Sequence, residues 1–143
     1  VRYPGQIAAG RKGDAPVSLL DVTATMLGAG GAVAADHPLP MDGDNLIDIA
    51  GGATVRDHLI CDHFGHSGDI SFQKILYHDG WKYTSVWGDD DELYCLDDDP
   101  FELNNRLNDP ATFDRQAQMR GMIIDHIEAR PAPRADWNSP EFW

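Results

Sequence analysis

Basic residues are scarce in this sequence. Eleven Lys and Arg face 24 Asp and Glu, a formal charge of −13. Nonspecific binding to nucleic acid or to an anionic membrane needs a basic face, so neither partner is expected. Long apolar runs are missing as well, and nothing approaches the ~20 residues of a membrane span. Two cysteines cannot build a disulfide scaffold. One bridge, Cys61–Cys95, is open if their strands are adjacent and the compartment oxidises. The chain opens at Val1 without a Met, and without a basic stretch running into an apolar leader. The reading is a chain that starts mid-protein, with loss of a signal peptide as the rival. Several signatures are absent: the G-x-S-x-G elbow, the P-loop, G-x-G-x-x-G and H-E-x-x-H. Nothing points to a Ser/His/Asp triad.

What is present suits one modest domain, or the tail of a larger one. A chain of 143 residues with 42% apolar and 24% charged residues has ordinary globular composition. Asp14 and Pro16 suit a helix start, and Val17, Leu20, Ala24 and Leu27 follow helical spacing up to Gly28 and Gly30. This predicts a helix over 15–27. Residues 28–53 read as a long Gly/Ala/Pro loop. Strands are expected at 54–61, 71–77, 81–87 and 92–96, with Asp79-Gly80 turning a hairpin between the second and third. Asn108 or Asp109 caps a helix begun by Pro110 and stopped by Pro131, with Phe113, Ala117, Ile124 and Ile127 as its stripe. The tail 131–143 is irregular, but Trp137, Phe142 and Trp143 suggest that it packs on something. Runs of strands followed by a helix predict α+β architecture. The expected form is a small antiparallel sheet of three or four strands with the C-terminal helix packed on it. The N-terminal helix is left without a strand partner of its own.

The densest group of polar ligands is Cys61-Asp62-His63-Phe64-Gly65-His66. Cys61, His63 and His66 carry donors that zinc accepts, but no second ligand pair stands at finger spacing. Alternatively, His63 and His66 stand at the mouth of a cleft and donate to an anion, with Gly65 and Gly68 allowing close backbone approach. A pair of solvated loop histidines is the plain alternative. The eight acids Asp89–Glu92, Asp97–Asp99 and Glu102 suit calcium by donor type, yet no window has the EF-hand order. They read better as solvated turns. Trp81, Tyr83 and Trp87 read as one packed sheet face rather than a stacking platform for sugars or bases.

Two stretches carry a family resemblance. "YPGQIAAGRKGDAPVSLLDVTATML" resembles the sulfatase segment W/Y-P-G-x-I, then G, then D-x-P-V-S-x-x-D-x-x-P-T-x-L. "DGWKYTSVWGDDDELYCLDDDPFELNNRLNDP" resembles the later stretch with K-Y, an E-L-Y-D-L element and D-P-x-E-x-x-N-L. "MDGDNL" between them is similar to D-G-x-S-L, and residues 60–66 look like E-x-H-G. The chain therefore resembles the C-terminal portion of a sulfatase, in the alkaline-phosphatase-like superfamily. Ala24 stands where Pro is common and Cys95 where Asp is common. Neither Cys61, followed by Asp-His-Phe-Gly, nor Cys95, followed by Leu-Asp-Asp-Asp, fits the nucleophile motif C/S-x-P/A-x-R.

The resemblance implies a division at 1–52, the end of an α/β catalytic domain with a connecting loop, and 53–143, a C-terminal subdomain. It implies a parent enzyme that hydrolyses sulfate monoesters with a formylglycine nucleophile and calcium or another divalent metal. Both would lie in a preceding part, so this chain alone is expected to be inactive, with no catalytic or metal residue of its own. His63 and His66 become candidates for a substrate pocket. A phosphodiesterase or phosphonate monoester hydrolase of the same superfamily is the nearest alternative, and a noncatalytic interaction module is another. A soluble protein, cytoplasmic or periplasmic in a bacterium, is expected. The face of helix 15–27 is expected to expose Leu19, Leu20 or Leu27 when its domain is missing, and homo-oligomers are therefore expected.

Overall fold

The computed structural model describes residues 2–10, 12–32, 41–53, 56–65 and 72–129. His66, Gly68 and the tail 131–143 lie outside the described residues. The chain divides into two compact units, Val1–Leu59 and Ile60–Trp143. Among the described residues no helix is long and apolar enough to cross a membrane.

The first unit contains α1 (Leu19–Ala29) and α2 (Leu46–Gly51). Helix α1 starts four residues later than Asp14 and Pro16 suggest. Ser18 and Asp21 form a capping box, and this reciprocal pair fixes the start more firmly than a single cap does. The Ser18 hydroxyl accepts from the Leu20 amide at 3.2 Å, and the Ser18 amide donates to Asp21 Oδ2 at 2.6 Å. The helix then runs through Gly28 and is capped at Gly30. The expected loop 28–53 contains α2, which sequence reading missed. Its cap is local chemistry: Asn45 Oδ1 accepts from the Ile47 amide at 2.9 Å, and Gly52 closes the end at φ 96°.

The buried face of α1 is polar. Asp21 and Thr25 are its buried residues, whereas Leu19 is 87% exposed and Leu20, Val22, Met26 and Leu27 are exposed too. Segment 43–46 explains this. The Asp44 amide donates to Asp21 Oδ1 and the Leu46 amide to Thr25 Oγ1, both at 2.8 Å. Gly43 passes so close to the Leu20 carbonyl that any Cβ there would collide with backbone. Arg56 completes the arrangement by donating to both Asp21 and Asp44. The apolar stripe expected over 17–27 is therefore not the face that this unit buries.

The second unit is built on a four-stranded sheet in the order β1-β2-β3-β4. The strands are β1 (His58–Phe64), β2 (Phe72–His78), β3 (Trp81–Val86) and β4 (Glu92–Cys95). Strand β1 lies four residues later at its start than 54–61 suggests, so His63 is a strand residue, not a loop residue. The β2–β3 and β3–β4 pairs are antiparallel, with Leu76 opposite Tyr83 and Tyr83 opposite Leu93. The expected hairpin turns at Asp79 (φ 48°) and Gly80 (φ 73°), the two left-handed residues of a type I′ turn. A Cβ at Gly80 would also run into the Asp97 carboxylate. Gly80→Ala is expected to cost about 1–2 kcal/mol from backbone strain alone. A lowered urea midpoint checks this, and an unchanged one contradicts it.

After β4, a 3₁₀ turn at Pro110–Thr112, capped by Asp109, leads into α3 (Phe113–Ala129). The core is Leu76, Tyr83 and Leu93 from the sheet with Met119 and Ile123 from α3, and Ile60, Trp81, Leu107 and Met122 pack against it. The stripe expected on α3 is the wrong one. Phe113, Ala117, Ile124 and Ile127 are exposed, and the buried positions Thr112, Met119 and Ile123 lie to one side of that stripe.

The strand order settles the Cys61–Cys95 bridge that the sequence leaves open. β1 and β4 are the two ends of the sheet order, so three strand spacings of ~4.8 Å part them by about 14 Å. A disulfide needs Cα atoms within about 7 Å. Both thiols are free.

Candidate functional site

The segment singled out in sequence, 61–66, takes in the last four residues of β1 and the two positions beyond them. His63 is exposed there. Strand alternation sets it on the opposite parity to Ile60, Asp62 and Phe64. Ile60 belongs to the α3 side of the sheet, so His63 belongs to the other side and reaches the Asp62–Phe64 surface only at its edge. His66, its proposed companion, falls outside the described residues. Cys61 is half-buried, and burial, helped by Asp62, pushes its thiol up from the ordinary value. A raised thiol is a poor nucleophile and a poor metal ligand at neutral pH. Among the described residues, no three His, Cys, Asp or Glu side chains gather as a metal site.

The end of the sheet away from the hairpin carries a shallow depression of about 210 Å³. Asp62, His63, Phe64, Phe72, Gln73, Lys74, Ser85 and Trp87 line it. Lys74 Nζ donates to Asp62 Oδ1 at 2.5 Å across the strands. The rings of Phe64 and Phe72 meet edge to face at 5.8 Å, and Phe72 meets Trp87 at 5.9 Å. Phe64 is 67% exposed and Trp87 79%. Sequence reading grouped Trp87 with Trp81 and Tyr83 as a packed face. Tyr83 is buried and Trp81 half-buried, but Trp87 lies past the end of β3 and joins Phe64 and Phe72 instead. The signal available was the period-two spacing of Phe72 and Lys74 with Leu76.

The acidic runs serve the fold. Asp91 accepts from the Tyr83 hydroxyl at 2.5 Å and from the Val86 amide at 3.0 Å. Burial, then the Asp91 hydrogen bond, raises the Tyr83 phenol far above its ordinary value, so it stays a neutral donor. Asp99 accepts from the Asn104 amide at 2.8 Å. Glu102 accepts from Lys82; burial lowers the Lys82 ammonium, but the Glu102 contact together with the charges of Tyr77 and Glu92 outweighs it, so the net shift is upward. Asn105 Oδ1 accepts from the Leu93 and Leu107 amides, both at 3.0 Å. The residues of D-P-F-E-L-N-N thus fasten segment 99–107 to β3 and β4.

The model of the family described as N-sulphoglucosamine sulphohydrolase, C-terminal, matches residues 1–129. Among curated proteins no match is found. Solved structures are similar in fold. One, in complex with its substrate D-glucosamine-2-N,6-O-disulfate, has a TM-score of 0.78 at 19% identity over 89% of this chain and 27% of that one. A 2-O GAG sulfatase has a TM-score of 0.67 at 21% identity over 76% of this chain and 24% of its own. The phosphonate monoester hydrolase of Agrobacterium radiobacter has a TM-score of 0.60 at 19% identity over 73% of this chain and 23% of its own. The chain spans about a quarter of the length of these structures.

Proposed function

The chain belongs to the N-sulphoglucosamine sulphohydrolase C-terminal family, and from that premise we propose that it is the C-terminal part of an enzyme hydrolysing sulfate esters of sugars. The observation that carries the reading is the match over residues 1–129, which takes in both sulfatase-like stretches of the sequence. The geometry gives those stretches a scaffolding task. Ser18, Asp21 and Thr25 hold segment 43–46, while Lys82, Glu102 and Asn105 hold segment 99–107.

The residues present do not fit a formylglycine or a divalent metal. Neither cysteine stands in C/S-x-P/A-x-R, and no metal-ligating group gathers among the described residues. Both groups belong, in this reading, to a preceding part that carries the chemistry. Residues 1–52 are its last portion and 53–143 a C-terminal subdomain. The contribution of this chain to the reaction is positional: the imidazoles of His63 and His66 donate hydrogen bonds to an anionic or hydroxylated substrate. The phosphonate monoester hydrolase among the similar folds keeps that chemistry as the second reading.

The test uses the longer protein. It is expected to release sulfate from a sulfated glucosamine faster than it cleaves a phosphonate monoester, while residues 1–143 alone turn over neither. His63→Ala and His66→Ala are each expected to raise KM about tenfold with a smaller change in kcat, the loss of one hydrogen bond to a charged group. Preference for the phosphonate would select the second reading. A KM unmoved by both substitutions would remove the histidines from the pocket.

A further inference from the structure

α3 covers only part of its sheet face. Strand alternation and the β2–β3 register put Phe72, Lys74 and Leu76 on one face with Tyr83 and Ser85. The Trp87 amide donates to the Phe72 carbonyl at 2.9 Å, which carries the ladder one pair past β3 and sets the indole beside Phe72. Met119 and Ile123 pack with Leu76 and Tyr83. Phe64, Phe72 and Trp87 stay exposed, Trp87 most of all at 79%. Their rings touch one another at 5.8 and 5.9 Å, so an aromatic platform stands ready without any rearrangement.

The polar groups beside the rings decide what fits. Lys74 and Asp62 bond each other at 2.5 Å, with 32% and 41% of their side chains exposed. Both stay within reach of a ligand. Lys74 keeps further N–H donors and Asp62 a second acceptor oxygen. Ser85 stands opposite Lys74 in the register. The depression thus offers donors, acceptors and flat apolar faces, with its ammonium and carboxylate cancelling in charge.

This combination selects among occupants. An anion finds the one Lys of the lining already neutralised by Asp62. A nucleic acid meets a chain of charge −13. An apolar protein surface strips water from the ion pair and returns no hydrogen bonds, a desolvation that the pair's own attraction does not repay. An uncharged sugar ring meets none of these obstacles. Its axial C–H groups pack against the electron-rich face of an aromatic ring, and its hydroxyls both donate and accept. The size agrees. The depression, about 210 Å³, lies below the ~300 Å³ at which pockets for drug-sized ligands begin, and it suits a single six-membered ring.

We propose that this depression binds an uncharged pyranose unit of a saccharide, stacked on Trp87 with its hydroxyls bonded to Lys74, Asp62 and Ser85. The inference goes beyond sulfate-ester hydrolysis and does not rest on it, because the sugar unit recognised here carries no sulfate.

Nuclear magnetic resonance titration of the full 143-residue chain tests this. The probes are cellotetraose, tri-N-acetylchitotriose and a 6-O-sulfated form of the latter. The Trp87 indole N–H signal is identified as the one lost in Trp87→Tyr. At least one neutral probe is expected to shift that signal and the Ser85 amide saturably, with a Kd of about 1–10 mM. Read at Ser85, Trp87→Ala is expected to weaken binding about tenfold, while Trp87→Tyr, which keeps an aromatic face, stays within about threefold. Lys74→Met is expected to weaken it several-fold. These side chains are exposed or half-buried, and unchanged far-UV circular dichroism verifies that each variant folds. Neutral probes that leave Trp87 and Ser85 unmoved at about 20 mM would overturn the proposal. Binding indifferent to Trp87→Ala would overturn it too, and tighter binding of the sulfated trimer would make the depression an anion site instead. Sulfate release by the longer protein is a separate readout. Its failure would sink the sulfate-ester reading and leave the titration result standing.

Discussion

Asp21→Ala is expected to destabilise the Val1–Leu59 unit by about 3–5 kcal/mol, the range for removing one partner of a buried ion pair. The Asp21 side chain is fully buried, and four donors converge on it: the amides of Ser18 and Asp44 and two nitrogens of Arg56. Alanine leaves the Ser18 and Asp44 amides without their acceptor and Arg56 with Asp44 alone, and it removes the capping box at the same time. Asp21→Asn keeps the volume and one acceptor oxygen, so its loss should be smaller. All four Trp of the chain lie beyond residue 59, so their fluorescence does not report this unit directly. Amide hydrogen exchange in α1 does, and protection there is expected to fall by about two to four decades in the alanine variant. Unchanged protection would contradict the role given to Asp21. The pH dependence has a defined sign. Burial pushes the Asp21 carboxyl up, but the Ser18 and Asp44 amides and Arg56 outweigh it and hold it below 3.8. Its contribution is therefore complete above the ordinary value and is lost as pH falls through the depressed one. Asp21→Asn should flatten that part of the acid limb.

The same residue shows what was and was not legible. Asp21 and Thr25 stand in the stretch that carries the family resemblance, yet periodicity alone passes over them. Hydrophobic spacing ranks Leu20 and Leu27 as the buried face of α1, because it scores side chains one at a time. It does not register that two backbone amides from segment 43–46 need acceptors, a partnership 21 to 23 residues away in sequence. The hairpin was legible because Asp79-Gly80 is a local requirement for two positive φ angles. The four strands were legible because β-branched and aromatic runs stand between turns. Helix α2 was not, since six residues are too few for a periodic signal, although Asn45 and Gly52 mark its ends. At the candidate site, the segment 61–66 was found by its donors. The parity of β1 was not, since the strand begins at His58, four residues later than the sequence suggests. That shift makes His63 a strand residue rather than part of a loop. The aromatic platform was missed because Phe64, Phe72 and Trp87 come from three chain positions that only the sheet brings together.

Ile123→Ala and Ile124→Ala are expected to differ sharply although they are neighbours with identical side chains. Ile123 is 4% exposed and packs with Leu76, Tyr83, Leu93 and Met119. Truncating it removes buried methyl groups and leaves a cavity, at a cost of about 2–5 kcal/mol. Ile124 is 46% exposed, and its truncation should stay within about 0.5 kcal/mol, with alanine's better helix propensity offsetting part of the lost contact. One residue turns a helix by about 100°, so the pair reads out which face of α3 meets the sheet. Urea unfolding followed by Trp fluorescence checks both, since Trp81 packs against this core. Equal slopes with a shifted midpoint for Ile123→Ala alone are the expected result. The stripe through Phe113, Ala117, Ile124 and Ile127 predicts the reverse order. If Ile124→Ala were the costly substitution, α3 would be rotated by about a quarter turn against the sheet.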